Sequence, residues 1–274
     1  MEEYHLISDL HPDKTNWTIR VKVLKKWHVK HPSQRHSLQF MLMDEEAETI
    51  QAFLYIPDLI KSFDMLIEEG QWICFSEFVV FDETSEEPNS PIGSCIRFLQ
   101  NTEVDLIDLI EVDTPHGFLK FSDVLGGKTE PGLPIDIMGF VVNIEPLVTV
   151  TDDSYPERQD KKTASISFTI KDDKGLLLSC VASGSLALDF NDKIFTEKQL
   201  PFDCLLTDWS VKHGEGGYYL RSRGGISRIE FYPKLPQAKT FVRRFWNNQQ
   251  KPTDVIDLGA NDDEASTSSV KNRN

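Results

Sequence analysis

The sequence predicts a mainly β chain, folded as two five-stranded Greek-key barrels in tandem, and three observations carry that prediction. Short segments alternate apolar with polar residues at the period of a half-buried strand. One segment of the first half changes to helical spacing between the would-be third and fourth strands. The whole order of elements then returns about 120 residues further along.

Residues 17–23 place Trp17, Ile19, Val21 and Val23 on one face, so Trp17 reads as core, with Arg20 and Lys22 opposite. Residues 37–43 and 49–54 form the next two strands, divided by the acidic turn Asp44-Glu45-Glu46. Residues 57–66 align Leu59, Ile60, Phe63 and Leu66 along one helical face, and Gly70 ends that segment. A long apolar strand over 72–81 follows, then a polar loop over 82–90 and a short strand over 94–99. The second half repeats the order with strands at 134–146, 164–171 and 176–182 and a short helix at 185–190. Strands at 200–211 and 218–223 complete it, turning at Gly214-Glu215-Gly216-Gly217, and Trp209 reads as core. Residues 151–162 read as a polar loop, 114–130 as a linker and 237–246 as a closing amphipathic helix.

The order strand, strand, strand, helix, strand, strand is that of the OB-fold, a Greek-key barrel with its helix between strands three and four. The expected domains are 1–112 and 113–246, followed by a polar tail at 247–274 whose composition predicts disorder.

Charge and cysteine usage exclude several classes of function. A formal net charge of −15 over 274 residues argues against coating nucleic acid through bulk charge, so any such binding needs a local basic groove. The sequence supplies one candidate: residues 17–36 contain no acid, while Arg20, Lys22, Lys25, Lys26, Lys30 and Arg35 are basic. From Asp44 to Glu111 only Lys61 and Arg97 oppose many carboxylates. Cys74, Cys95, Cys180 and Cys204 are far apart in apolar stretches, which predicts buried free thiols and no zinc ribbon. His28, His31 and His36 surround the basic segment without the spacing of a metal site, and no metal or cofactor is expected. No apolar run is long enough for a membrane helix and the N-terminus is polar, so a soluble intracellular protein is expected. There is no phosphate-cradling glycine loop, HExxH or GxSxG, and a non-enzyme is expected.

The segment 10–23, followed by Lys26-Trp27, resembles the opening of the first DNA-binding domain of the replication protein A large subunit. It looks closest to the plant group of replication-protein-A-like chains, some of them carried by rolling-circle transposons. Leu42-Met43-Asp44-Glu45 is similar to that family's second-strand ending. Asp136-Ile137-Met138-Gly139-Phe140-Val141 resembles the start of its second barrel, and residues 232–238 the approach to its closing helix. The resemblance spans residues 7–246. It implies sequence-tolerant binding of single-stranded DNA in the nucleus, in replication, repair or recombination, with bases stacked on aromatics and cations along the phosphates. RNA stays open as an alternative ligand, and other replication-protein-A-type subunits are a further class of partner. The zinc-ribbon domain of some members is not in this sequence.

The candidate binding residues are Arg20, Lys22, Lys25, Lys26, Trp27, Lys30, Arg35 and Phe53 in the first half, and Tyr219, Arg221 and Arg223 in the second. Lys25, Lys26, Lys30 and Arg35 fall in or beside the strand-one–strand-two loop, one of the loops that grip oligonucleotides in OB-folds. Trp27 either stacks or packs, and so does Phe53, which falls where the resemblance places a base-stacking ring. Two departures oppose DNA binding. The matching residue of the second barrel reads as Ala182, and the first barrel's strand-four–five loop carries Asp82, Glu83, Glu86 and Glu87. A protein-interaction scaffold and a diverged transposon-derived chain are therefore the competing expectations.

Overall fold

The computed structural model describes residues 4–30, 36–112, 118–151, 162–196 and 199–249. The first barrel is closed by β1 (Thr18–Lys30), β2 (His36–Met43), β3 (Thr49–Leu54), β4 (Trp72–Asp82) and β5 (Ser94–Ile107) in the order β1-β2-β3-β5-β4. Closure follows from the long first strand. Its start, Thr18–Lys22, pairs with β4, and its end pairs with β2 across a bulge between Val23 and Lys25. The β3–β5 pair is parallel; the others are antiparallel. Alternation sends Ile19, Val21, Val23, Leu38, Phe40, Leu42, Phe75 and Phe98 into one buried core.

Helix α1 (Pro57–Leu66) starts on a proline, whose fixed φ suits the first helical turn. It closes the barrel end with Ile60 and Phe63. Leu66, expected on the packed face, is exposed, and Ile67 just past the helix is buried in its place. Ile67 lies seven residues after Ile60 and four after Phe63, so it continues the packed face and Leu66 falls beside it.

The second barrel repeats the ring. Strands β6 (Pro134–Ile144), β8 (Lys162–Lys171), β9 (Leu177–Ser183), β11 (Gly217–Ser222) and β10 (Phe202–Gly214) are paired in that order, and β10 pairs back to β6. The β9–β11 pair is the parallel one, as β3–β5 is in the first ring. The equivalence extends to turns: Asp44 accepts the amides of Glu46 and Glu48, and Asp172 those of Lys174 and Leu176. Glu77 in β4 and Asp208 in β10 share a left-handed φ, 56° and 57°, each beside a pairing shift.

Several elements extend beyond the sequence expectation. Strand β5 runs to Ile107 instead of stopping near residue 99, and helix α3 (Ser185–Thr196) is twice as long as the six residues expected. Strand β7 (Val148–Thr151) pairs on β8 with every residue exposed, so no buried face marked it. Strand β12 (Arg228–Phe231) pairs on β10. Helix α2 (Phe121–Leu125) lies inside the expected linker and buries Phe121 and Val124 in the second core. Helix α4 (Pro236–Gln249) packs Phe241 and Phe245 on Phe140, outside the ring. Residues 250–274, most of the expected tail, and 152–161, most of the expected polar loop, lie outside the described residues. All four cysteines are buried, and none is in a disulfide. No helix among the described residues is long and apolar enough to cross a membrane.

Candidate nucleic-acid interface

The acid-free stretch over residues 17–36 is largely occupied with holding the fold together where it is described. Arg20 pairs with Glu45 at 2.8 Å and lies over the Tyr4 ring. Lys26 donates to the Asp64 and Ile67 carbonyls at 2.6 and 2.8 Å and pairs with the Asp64 carboxylate. It thus places a cation on the carbonyl end of α1, where the helix dipole favours one. The Lys26 bond, helped by His28, holds the Asp64 carboxyl below the usual aspartate range. His28 bridges His36 and Asp64.

Lys25 reaches the other barrel, donating to Asp208 and to Thr207 Oγ1. Burial pulls its ammonium down to about 8, with Asp136 opposing and Arg228 adding. Trp27 is 6% exposed and packs on Met41 and on Ile226 of the second barrel, so packing is the role the structure gives it. Lys22 has no ion pair among the described residues. Lys30 ends β1, but its side chain lies outside the described residues, as do Arg35 and His31.

A different cluster forms the open surface of the first barrel. On the outer side of β3, Phe53 lies parallel to Tyr55, with centroids 5.9 Å apart and planes within 4°. Phe81 of β4 sits 5.8 Å from Phe53, and the Arg97 guanidinium caps the Phe81 ring at 4.9 Å. Register explains the grouping: Phe53 is opposite Arg97, and Phe81 is opposite Cys95. Tyr55 is 45% exposed and Arg97 is exposed. Of this cluster only Phe53 was read from the sequence. Tyr55 two residues on and Phe81 at a strand end carried the signal, but their grouping depends on the parallel β3–β5 pair.

The same register places the second barrel's residues. Gln39, Phe53, Arg97 and Val79 of the first ring correspond to Ser167, Val181, Arg221 and Ser210 of the second. The counterpart of Phe53 is therefore Val181, which corrects the reading of Ala182. Ala182 is fully buried among core residues, one step out of phase. Tyr219 and Arg221 are partly open on β11, beside Lys212 on β10. A cleft of about 340 Å³ runs here between Ser167, Ser179, Val181 and Tyr219. Arg223 is turned toward the first barrel. Its guanidinium donates to the carbonyls of Glu87, Pro88 (3.1 Å) and Gly132 (2.9 Å), and burial lowers it to about 10.

The acidic loop after β4 thus lies against the second barrel, and Glu87 also pairs with Lys212. Further contacts fasten the junction. Arg228 binds Glu69 through two nitrogens, one at 2.7 Å. Burial pushes the Glu69 carboxyl up, but Arg228, the Lys26 amide and Lys25 outweigh it and hold it below the usual glutamate range. Gly225, at φ +81°, lies against Trp27; a Cβ there would stand 2.6 Å from Trp27 Cδ1.

Two rings of matching register, each with one parallel pair and a helix after its third strand, make this a tandem OB-fold protein. Residues 8–127, the first barrel and the segment through α2, match the family model described as "Domain of unknown function DUF223". Among solved structures, the chain is similar to the replication protein A heterotrimer bound to single-stranded DNA, at 18% identity and a TM-score of 0.63. That alignment covers 89% of this chain and 55% of the other, so this chain spans about half of it, and the likeness is one of fold. Looser similarity links it to the Ifi202 HINa domain with a 20-bp duplex (16% identity, 78% and 95% covered, TM-score 0.42). A murine DNA-binding protein with double-stranded DNA is comparable (12%, 80% and 97%, 0.41). No curated protein matches the chain in sequence.

Proposed function

We propose that this protein binds single-stranded nucleic acid across the outer faces of both barrels, as a binding protein and not a catalyst. The observation that carries the reading is the parallel Phe53–Tyr55 pair with Phe81 and Arg97 beside it. Flat rings open to solvent accept any base by stacking, and a neighbouring guanidinium meets phosphate or stacks in turn. The second barrel contributes charge and hydrogen bonding through Arg221, Lys212 and Tyr219. Lys22 adds a cation to the first barrel in this reading, and Lys30 and Arg35 stay candidates from the sequence. The resemblance of the sequence to the replication protein A large subunit supports DNA as the ligand. It also supports nuclear replication, repair or recombination as the setting, and subunits of that type as partners.

A titration of fluorescent oligo(dT) and oligo(U) at 50 and 200 mM salt tests this. The expected result is saturable binding to the single strand that weakens with salt, in spite of the net charge of −15. Absence of salt-sensitive binding to either oligonucleotide overturns the reading and leaves the protein scaffold as the better account.

A further inference from the structure

The loop between β4 and β5 is an acidic element that touches both candidate faces. Residues 82–93 carry Asp82, Glu83, Glu86 and Glu87 and no cation. The Glu83 carboxylate accepts from the Cys95 thiol at 3.0 Å, on the outer row that holds Phe81 and Gln51. In mid-loop, Glu87 pairs with Lys212 and lies 3.4 Å from Ser210 Oγ, while the Glu87 and Pro88 carbonyls accept from Arg223. On its return, Asn89 donates to Gln51 Oε1 at 2.9 Å, and the Ser90 hydroxyl donates to the Thr49 carbonyl. Gln51 in turn donates to Gln39. The Gln51 side chain on the outer face of β3 is therefore held by the loop and linked to Gln39 of β2, and it is only 4% exposed.

Oxygen atoms of the loop thus lie on cations belonging to the other barrel. The seat is tight at one point: a Cβ at Gly132, φ +83°, would stand 2.8 Å from the Glu86 carbonyl. It is incomplete at another: Asn89 Oδ1 is buried without a partner, which costs the closed state an acceptor. Such a strap is held mainly by exchangeable polar contacts, and only near its end does an apolar side chain, Ile92, pack against the first core.

We infer that this strap is an internal stand-in for nucleic acid: it occupies Arg223, Lys212 and Gln51, and a single strand binds by displacing it. The inference rests on the binding function proposed above and adds its regulation. The exchange is of carboxylate and carbonyl oxygens for phosphate oxygens and base edges, with no covalent step.

The test uses the full chain and oligo(dT). Replacing Glu83, Glu86 and Glu87 together by Gln should tighten binding at least tenfold. The salt dependence should stay close to that of the wild type, since the same cations meet phosphate in the complex once the strap is displaced. Asn89→Ala, which removes only the seat on Gln51, should tighten binding a few-fold and guards against misfolding of the triple variant. Hydrogen exchange of the strap amides should quicken when oligo(dT) is added to the wild-type protein. Unchanged affinity in both variants, or slower strap exchange on binding, overturns the strap as a competitor; the second result would make it a clasp. Phe53→Ala with Tyr55→Ala separates the two ideas. If this pair loses binding while the strap variants match wild type, the binding function stands and the strap inference fails. If neither wild type nor strap variants bind, both fail.

Discussion

The two barrels are alike inside and unlike outside. Their rings share strand order, a parallel third-to-fifth pair, an Asp-anchored turn and a left-handed bulge residue. Position for position the inner residues stay apolar: Phe40 and Ala52 in one ring, Phe168 and Cys180 in the other. The outer residues diverge from Phe53 and Phe81 to Val181 and Lys212. Burial of apolar surface constrains only the inner set, so the outer set is open to differ between the two rings. In the proposed function, this difference gives stacking to the first barrel and charge to the second.

The comparison can be broken first at its common part. Phe98, whose ring meets Phe40, Phe63 and Phe75, holds the first core together, and Phe98→Ala should cost about 3–5 kcal/mol of stability in urea unfolding. The second core can be probed at the position misread from the sequence. Ala182→Phe should destabilise by about 1–3 kcal/mol through overpacking, whereas Val181→Phe, one residue away, should leave stability nearly unchanged. Val181→Phe should also give the second barrel the ring it lacks and raise oligo(dT) affinity by about 1 kcal/mol. Equal destabilisation by both would contradict this register of β9.

The junction responds next. Gly225→Ala brings a methyl against Trp27 in a left-handed backbone and should cost about 1–2 kcal/mol from the backbone alone, read as a lower Tm. The smallest effect is on pH. Asp64 and Glu69 are held below the usual carboxylate range, so the unfolded chain takes up their protons first as pH falls. Their contribution is complete above the unfolded pKa values and is lost as pH falls through the folded ones. The junction around Arg228 should therefore loosen progressively below about pH 4.5, where unfolded glutamate begins to protonate, visible as faster hydrogen exchange near Glu69.

The sequence made the inner alternation legible because each buried strand shows it locally. Residues 57–66 matched α1, and strands two and three matched to within a residue. What it hid depends on contacts between distant segments. Lys25 and Trp27 lie in a basic run that looks like a phosphate track until Asp208 and Ile226 arrive from the other barrel. The acidic loop looks like a repellent at the groove mouth until Arg223 and Lys212 are seen beneath it. Ala182 was misplaced by a single residue because composition alone does not show which phase of β9 faces inward.

Salt dependence of oligo(dT) binding, compared among wild type, Phe53→Ala and Arg221→Ala, tests the division of labour most directly. Phe53→Ala should weaken binding by about 1–3 kcal/mol equally at every salt concentration, leaving the slope of log affinity against log salt unchanged. Arg221→Ala should flatten that slope by about 0.7. Identical slopes for the two variants, or a slope change confined to Phe53→Ala, would contradict the assignment of stacking to the first barrel and charge to the second.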